Sequence, residues 1–157
     1  MLDDDTRALL EAGSSTIVGL VDRAGEPFAT RGWGSVVLDG EPLRLRVLVG
    51  AGAFAAAGYH PGAEARFAVA VTGAEVRTLV SVQVKGTAVA LDEADDDDRR
   101  RTASFCEDFF GAVKATDNID RALMERLVPA DLWACTIEVD EVFDQTPGPR
   151  AGSRLDR

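Results

Sequence analysis

The most constraining feature of this sequence is a succession of strand-like runs joined by very short connections. The first three runs are separated only by Arg23–Glu26 and by Asp39–Gly40. Strands joined by so few residues pair antiparallel, because a parallel neighbour needs a crossover of about a dozen residues or more. Asp-Gly also suits the positive φ angles of a tight hairpin. The runs are SSTIVGLVD at 14–22, PFATRGWGSVVL at 27–38 and EPLRLRVLV at 41–49.

The third run shows the alternation that is typical of a half-buried strand. Apolar residues occupy every second position and basic residues lie between them, which places the two kinds of side chain on opposite faces. The apolar positions are Leu43, Leu45, Val47 and Val49, and the basic positions are Arg44 and Arg46.

The rest of the chain alternates between helical and strand-like segments. Capping residues and apolar spacing predict a short helix over Asp3–Ala12 and a brief helical piece after Gly50. An amphipathic helix is predicted over 99–115, behind the acidic run Asp95–Asp98, and a second helix over 118–128. The remaining strand runs are ARFAVAVTG at 65–73, TLVSVQVKGTAVALD at 78–92 and LWACTIEVDEVFD at 132–144.

Together these elements predict an α+β fold, a six-stranded antiparallel split β-barrel with short flanking helices. Closing the sheet into a barrel removes most of its exposed edges. The length of 157 residues suits one domain. We predict a single split-barrel domain over residues 1–145 and a Pro/Gly/Arg-rich C-terminal tail over residues 146–157.

The composition argues against several classes of function. Lys and Arg number 17 against 27 Asp and Glu, so with a net charge of −10 neither nucleic acid nor a membrane surface is an expected partner. The start MLDDDTR lacks a secretory signal pattern, and no apolar run approaches the length of a spanning helix. Only two cysteines occur, which favours a cytoplasmic location. With His60 as the single histidine, no metal site is expected.

The segment Gly50–Ala55 reads G-x-G-x-x-A and follows a strand, which is typical of a dinucleotide-binding turn. Its context argues against this interpretation. Gly58 and Pro61 end the following helix too early for a crossover helix, and the preceding strands are joined by hairpins. We favour close packing of small residues against the barrel.

The order of the elements, the segment SVQVKGTAVALDEAD (Ser81–Asp95) and the segment IEVDEVFDQTPGPRAG (Ile137–Gly152) resemble the pyridoxamine 5'-phosphate oxidase-like, FMN-binding split-barrel family. The resemblance implies a homodimer that holds a flavin in two symmetric clefts at the subunit interface. It also implies an oxidoreductase that acts on a small molecule, although members differ in cofactor: some use FMN, some a deazaflavin, and others bind haem or have no assigned activity.

The same resemblance implies which residues meet the cofactor. Gln83 and Lys85 lie where the family places polar groups near the flavin phosphate or ring edge, and Ser81 shares their strand face. The second strand would run beside the isoalloxazine ring, with Trp33 packed against it. No catalytic acid or base stands out. The cofactor-binding candidates are Arg31, Gly32, Trp33, Val47, Leu48, Val49, Ser81, Gln83 and Lys85.

One position departs from the family pattern. Where the family usually carries a Lys or Arg to hold the phosphate, this chain has the apolar segment Ala53–Ala56. A phosphomonoester carries close to two negative charges and needs charge-assisted partners. FMN is the first expectation. A deazaflavin, haem held by His60, or no cofactor at all, with the barrel serving as a binding module, stay open as alternatives.

Overall fold

The computed structural model describes residues 2–62 and 66–155. Ala65, which begins the fourth predicted strand run, and the last two residues of the predicted tail lie outside the described residues. The helices are α1 (Asp4–Glu11), α2 (Ala51–Ala56), α3 (Asp96–Asp117) and α4 (Arg121–Glu125), and the strands are β1 (Ser15–Val21), β2 (Pro27–Leu38), β3 (Arg44–Gly50), β4 (Phe67–Ala74), β5 (Ser81–Glu93) and β6 (Leu132–Asp144).

The six strands form one closed barrel in the order β1-β2-β3-β6-β5-β4. Every neighbouring pair is antiparallel, which confirms the predicted α+β barrel with short flanking helices. The strand β3 ends at Gly50 and pairs antiparallel with both β2 and β6. The dinucleotide-binding interpretation of Gly50–Ala55 is therefore excluded, because that site needs a parallel sheet.

Both N-terminal helix signals act as predicted. The Asp3 side chain accepts a hydrogen bond from the Thr6 N–H and caps α1. At α3, the side chains of Asp95 and Asp98 each accept from the other's backbone N–H, which forms a capping box. These bonds satisfy N–H groups that have no partner within the helix.

Two predicted connections differ in the structure. The segment predicted as a helix over 118–128 is an α-helix only over Arg121–Glu125. Leu123 and Leu127 are 55% and 54% exposed, so the apolar residues of this segment do not form one buried face. Asp39–Gly40 was predicted to be a tight hairpin turn between β2 and β3. In the structure the two strands are joined by a five-residue connection, residues 39–43.

The barrel interior is a continuous apolar core to which all six strands contribute. Leu10 of α1 and Phe54 of α2 also pack into it. Burial of these side chains is the main favourable contribution to folding. Fully buried strand residues include Val18, Leu45, Val47, Val71, Val84, Ile137 and Val142.

A second apolar layer lies between α3–α4 and the outer side of the barrel. The rings of Trp33 in β2 and Phe105 in α3 meet edge to face with centroids 6.4 Å apart. Gly34 has a φ of +112°, and an added Cβ would meet the Cβ of Phe105 at 3.4 Å, so glycine allows α3 to approach β2 closely. The buried residues of this layer are Trp33, Leu48, Ala94, Phe105, Cys106, Phe109, Phe110, Val113, Met124 and Ala134.

Arg46 of β3 fixes the start of α3. Its Nε and Nη2 donate to the Asp98 carboxylate at 3.0 and 2.7 Å, and its Nη1 donates to Asp92 and Thr136 at 3.2 Å. Burial raises the pKa of the Asp98 carboxyl, but the hydrogen bonds from Arg46 and from the Asp95 N–H lower it by more, so its pKa lies below the usual 3.8. The paired charges attach the helix to the barrel.

The described part of the tail folds back on β6. The Leu155 N–H donates to the Val142 carbonyl oxygen at 2.8 Å, and Phe143 pairs with Arg154. The outer side of β1 stays open, since Ile17 and Val21 are 42% and 50% exposed. Within residues 2–62 and 66–155, no helix has the length and apolar character needed to cross a membrane.

Candidate functional site

A groove of about 400 Å³ lies between β2, the start of α2 and the connection from α4 to β6. Two features of the chain form it. The β2–β3 register shifts between Gly32 and Ser35, an irregularity of the kind that disrupts the strand ladder locally. Gly50 lets the α4–β6 connection come close, because an added Cβ would lie 2.9 Å from Cγ of Pro129. The groove is lined by Thr30, Arg31, Trp33, Gly50, Gly52, Ala53, Leu127 and Pro129.

Arg31 gives this region its charge. Its guanidinium carbon lies 5.4 Å from the centroid of the Phe109 ring, within the range of a cation–π contact. Its Nη1 atom is buried and has no hydrogen-bond partner among the described residues. A buried donor without an acceptor costs about 1–3 kcal/mol, more when it is charged, so this nitrogen is poised to bind an acceptor atom.

A second cleft, of about 470 Å³, adjoins the groove and shares Arg31 and Leu127 with it. Its walls are mainly apolar. They come from the start of β1, the connection between β4 and β5, and the α3–α4 region. The remaining lining residues are Ser15, Ala74, Glu75, Val76, Leu79, Phe109, Val113, Asp117, Ile119 and Met124.

Several other basic side chains on the barrel are paired with carboxylates. Arg44 and Arg66 both contact Glu138, at 3.3 and 3.6 Å. Arg46 is held by Asp98 and Asp92, as described above. Arg31 is thus the only basic residue in the described part of the chain that lines the groove.

Three sequence-predicted site residues lie on β5, away from the groove. The Ser81 N–H donates to the Thr146 hydroxyl oxygen at 3.1 Å. The Gln83 amide donates to the Thr72 hydroxyl at 3.1 Å. The Lys85 ammonium is exposed and lies 4.6 Å from the centroid of the Phe143 ring.

The strand register shows how far these residues are from Arg31. Arg31 pairs with Ile17, Ile17 with Thr72, and Thr72 with Gln83. Three strand steps of roughly 4.8 Å separate the first and last of these, or about 14 Å along the barrel surface. Within one chain, Arg31 and Trp33 therefore both line the groove. Gln83 and Lys85 lie away from it, on the outer face of β5.

The other candidates lie in the strands themselves. The side chains of Val47, Leu48 and Val49 are fully buried, so only the backbone of β3 could meet a ligand. Gly32 is buried as well, with Thr16 and Val47 where a side chain would be. Trp33 is 3% exposed and belongs to the layer under α3, so it borders the groove with little of its surface.

The two cysteines and the single histidine are the candidates for reactive or metal-binding groups. Burial raises the pKa of the Cys135 thiol to about 12, and burial also raises the pKa of Cys106, so neither sulfur is a ready thiolate. No group of three or more His, Cys, Asp and Glu that could hold a metal occurs in the described ranges. His60 is exposed, with its ring 5.8 Å from that of Trp133.

Sequence reasoning missed the contribution of the α3–α4 region to the site. Phe109, Leu127 and Pro129 line the two cavities, although they lie far along the chain from Arg31. No local signal pointed to it. Leu123 and Leu127 are four residues apart, a spacing that predicts one buried helix face, and only the structure shows that both are exposed.

Solved structures with a similar fold include three whose names refer to cofactors or to the expected family. A protein of Lactobacillus delbrueckii named for pyridoxamine 5'-phosphate oxidase is 20% identical, with a TM-score of 0.48 over 90% of this chain and 93% of that chain. An F420 reductase is 15% identical, with a TM-score of 0.46 over 90% and 98%. A pyridoxamine 5'-phosphate oxidase-related, FMN binding protein of Nostoc punctiforme is 10% identical, with a TM-score of 0.42 over 98% and 92%.

The names of two of these structures refer to the family that the sequence resembles. At these identities the likeness is one of fold. No family model and no curated protein matches the sequence.

Proposed function

We propose that this chain is a flavin-binding split-barrel oxidoreductase that holds FMN in the groove between β2 and α2 and acts on a small molecule as a homodimer. The observation that carries the proposal is the buried Nη1 of Arg31, which has no hydrogen-bond partner among the described residues. An oxygen atom of a bound cofactor would satisfy it. The bound flavin would supply hydride or electron chemistry, and the chain would supply placement and charge.

The groove suits the flat ring of such a cofactor. Its volume of about 400 Å³ lies within the usual range for small-molecule sites, about 300–1,000 Å³. Gly52 carries no side chain and nothing lies within 4 Å of an added Cβ there, so a planar ring can approach its backbone. Trp33 and Leu127 add apolar surface at the sides.

The phosphate of FMN fits the groove of one chain less well. Phe54 occupies the core just after β3, near where the family usually carries a phosphate-binding Lys or Arg. A dianionic phosphate needs more charge-assisted bonds than Arg31 alone provides. We propose that Lys85 of the partner subunit supplies the second cation, since this side chain is exposed on the open face of β5.

The test is a titration of the purified protein with FMN, followed by visible absorbance and flavin fluorescence. Arg31→Met and Lys85→Gln should each weaken FMN binding by about tenfold, because each removes a charge-assisted bond. Lys114→Gln is the matched control, because Lys114 is the only other lysine in the sequence. It lies on α3, and its Nζ donates to the Asp120 carboxylate at 2.7 Å. No spectral change on adding FMN to the parent protein contradicts the proposal.

A second candidate function is a binding module without a cofactor. Phe54, which is fully buried, favours it, because a core side chain fills the region where the family holds phosphate. A deazaflavin and haemin, titrated in parallel, separate the alternatives. Binding of the deazaflavin alone indicates a deazaflavin protein, a haem band lost in His60→Ala indicates the haem variant, and no response to any of the three supports the module.

A further inference from the structure

The cleft of about 470 Å³ beside the groove has a mouth rimmed by exposed apolar side chains. Leu79, Ile119 and Leu127 are 56%, 38% and 54% exposed and come from two separate parts of the chain. The connection between β4 and β5 supplies the first, and the α3–α4 region supplies the other two. Such a concentration of apolar surface around one concavity is typical of a ligand site.

Leu79 is held at this mouth in a conformation that leucine rarely adopts. Its φ is +62°, in the left-handed region that costs a non-glycine residue about 1–2 kcal/mol. The Leu79 N–H donates to the Glu75 carbonyl oxygen, and the Glu75 carboxylate accepts from the N–H groups of Arg77 and Thr78, so the turn is fixed. Backbone strain of this kind often accompanies a binding site.

The charged residues of the cleft set the sign of its ligand. Arg31 presents a buried Nη1 without an acceptor among the described residues, and Phe109 lies beneath its guanidinium. The Glu75 carboxylate is engaged by the backbone of its turn, and the Asp117 carboxylate accepts from the Thr116 hydroxyl at 3.0 Å. No ion pair joins either carboxylate to Arg31 in the described part of the chain.

We propose that this cleft binds a small organic acid with an apolar body and a single carboxylate, which pairs with Arg31 while the body lies among Leu79, Val113 and Ile119. A single guanidinium suits a monoanion, and Glu75 and Asp117 in the cleft wall disfavour ligands with two or more negative charges. The cleft adjoins the groove at Arg31. The inference goes beyond the proposed cofactor and does not depend on it, but both use the Nη1 of Arg31, so the acid binds when no cofactor oxygen occupies that atom, and the test uses flavin-free protein.

The test uses 3-phenylpropionate and its neutral amide, 3-phenylpropionamide, as probes of the same shape. Calorimetric titration of the full chain should show the acid bound about tenfold more tightly than the amide, as expected for a charge-assisted bond. In Arg31→Met the acid and the amide should bind with about equal affinity, because the charge-assisted bond is lost. The amide should still bind, because the apolar walls are unchanged. Equal affinities for the two probes in the parent protein, or no binding of either, overturn the proposal.

A second pair of variants tests the location without touching a buried residue. Leu79→Asp places a negative charge at the cleft mouth and should weaken binding of the acid several-fold. Val80→Asp is the matched control, because Val80 is 48% exposed in the same connection and does not line the cleft. Equal effects of the two substitutions on the acid contradict the assignment to this cleft.

Discussion

Gly86 lies at an irregularity in the β5–β6 pairing, where the register shifts between Lys85 and Gly86. A Cβ added there would overlap the Glu138 carbonyl oxygen and lie 2.9 Å from Cγ2 of Ile137. We expect Gly86→Ala to lower the free energy of unfolding by about 1–3 kcal/mol or more, because the backbone of β6 must move. Urea unfolding measures this. Gly111→Ala is the control, since nothing lies within 4 Å of an added Cβ there, and an equal loss argues against the steric cause.

Asp98 makes the stability of the protein depend on pH. Because its pKa in the folded chain lies below the usual 3.8, its contribution is present above about pH 4 and is lost as the pH falls through and below that value. Asp98→Asn should lower the free energy of unfolding at neutral pH by about 2 kcal/mol, and its stability should fall less steeply below pH 4. Urea midpoints across this pH range provide the measurement.

The control for this variant is Asp97→Asn, in the same first turn of α3. Asp97 contacts Arg100 at the surface, and its side chain is 78% exposed. Exposed pairs of this kind contribute at most about 1 kcal/mol. Identical pH profiles for the two variants would place the acid sensitivity outside the Arg46–Asp98 pair.

The helix α3 is attached to the barrel chiefly by its aromatic face. Phe105 is 3% exposed and contacts Trp33, so Phe105→Ala should lower the free energy of unfolding by about 3–5 kcal/mol through lost burial and a new cavity. Gly111→Ala on the exposed face of the same helix should raise it by about 0.5–1 kcal/mol, because nothing lies within 4 Å of an added Cβ there. Opposite signs of the change in unfolding free energy for the two variants, measured by urea unfolding, would confirm which face of α3 packs on the barrel. Changes of the same sign would contradict it.

The elements around the site show where prediction from sequence succeeded. All six strands appear at the predicted runs, since alternation and short connections are local properties, although β3, β4 and β5 each end one residue beyond the predicted run. The helix predicted over 118–128 was too long, because whether Leu123 and Leu127 are buried depends on the barrel surface beside them. That same surface forms the walls of the two cavities.

At the scale of the whole molecule, the open outer face of β1, β4 and β5 is where we expect a second copy to bind. Ile17 and Val21 are exposed there, and Gly19, Ala68 and Ala70 add a flat surface of small residues. Burial of this apolar face is the driving force expected for dimerisation. Sedimentation equilibrium should give twice the chain mass of 16.7 kDa.

Ile17→Lys tests this assignment, because a charge placed in the face should shift the protein toward the monomer. Leu38→Lys is the control, since Leu38 is 37% exposed at the end of β2, outside this face. A monomeric parent protein, or a dimer that Ile17→Lys leaves intact, contradicts the proposed interface.

The sequence by itself determined the strands, their antiparallel pairing, the closed barrel and the caps of the two longer helices. The strands, the hairpins and the caps depend on residues close together in the chain, where hydrophobic period and turn chemistry act directly, and the barrel follows from the need to cover the sheet edges. Only the tertiary structure decided which side of the barrel α3 and α4 cover, and so where the cavities lie. The guanidinium of Arg31 lies beside Phe109 because segments almost eighty residues apart meet there, and local patterns carry no information about such contacts.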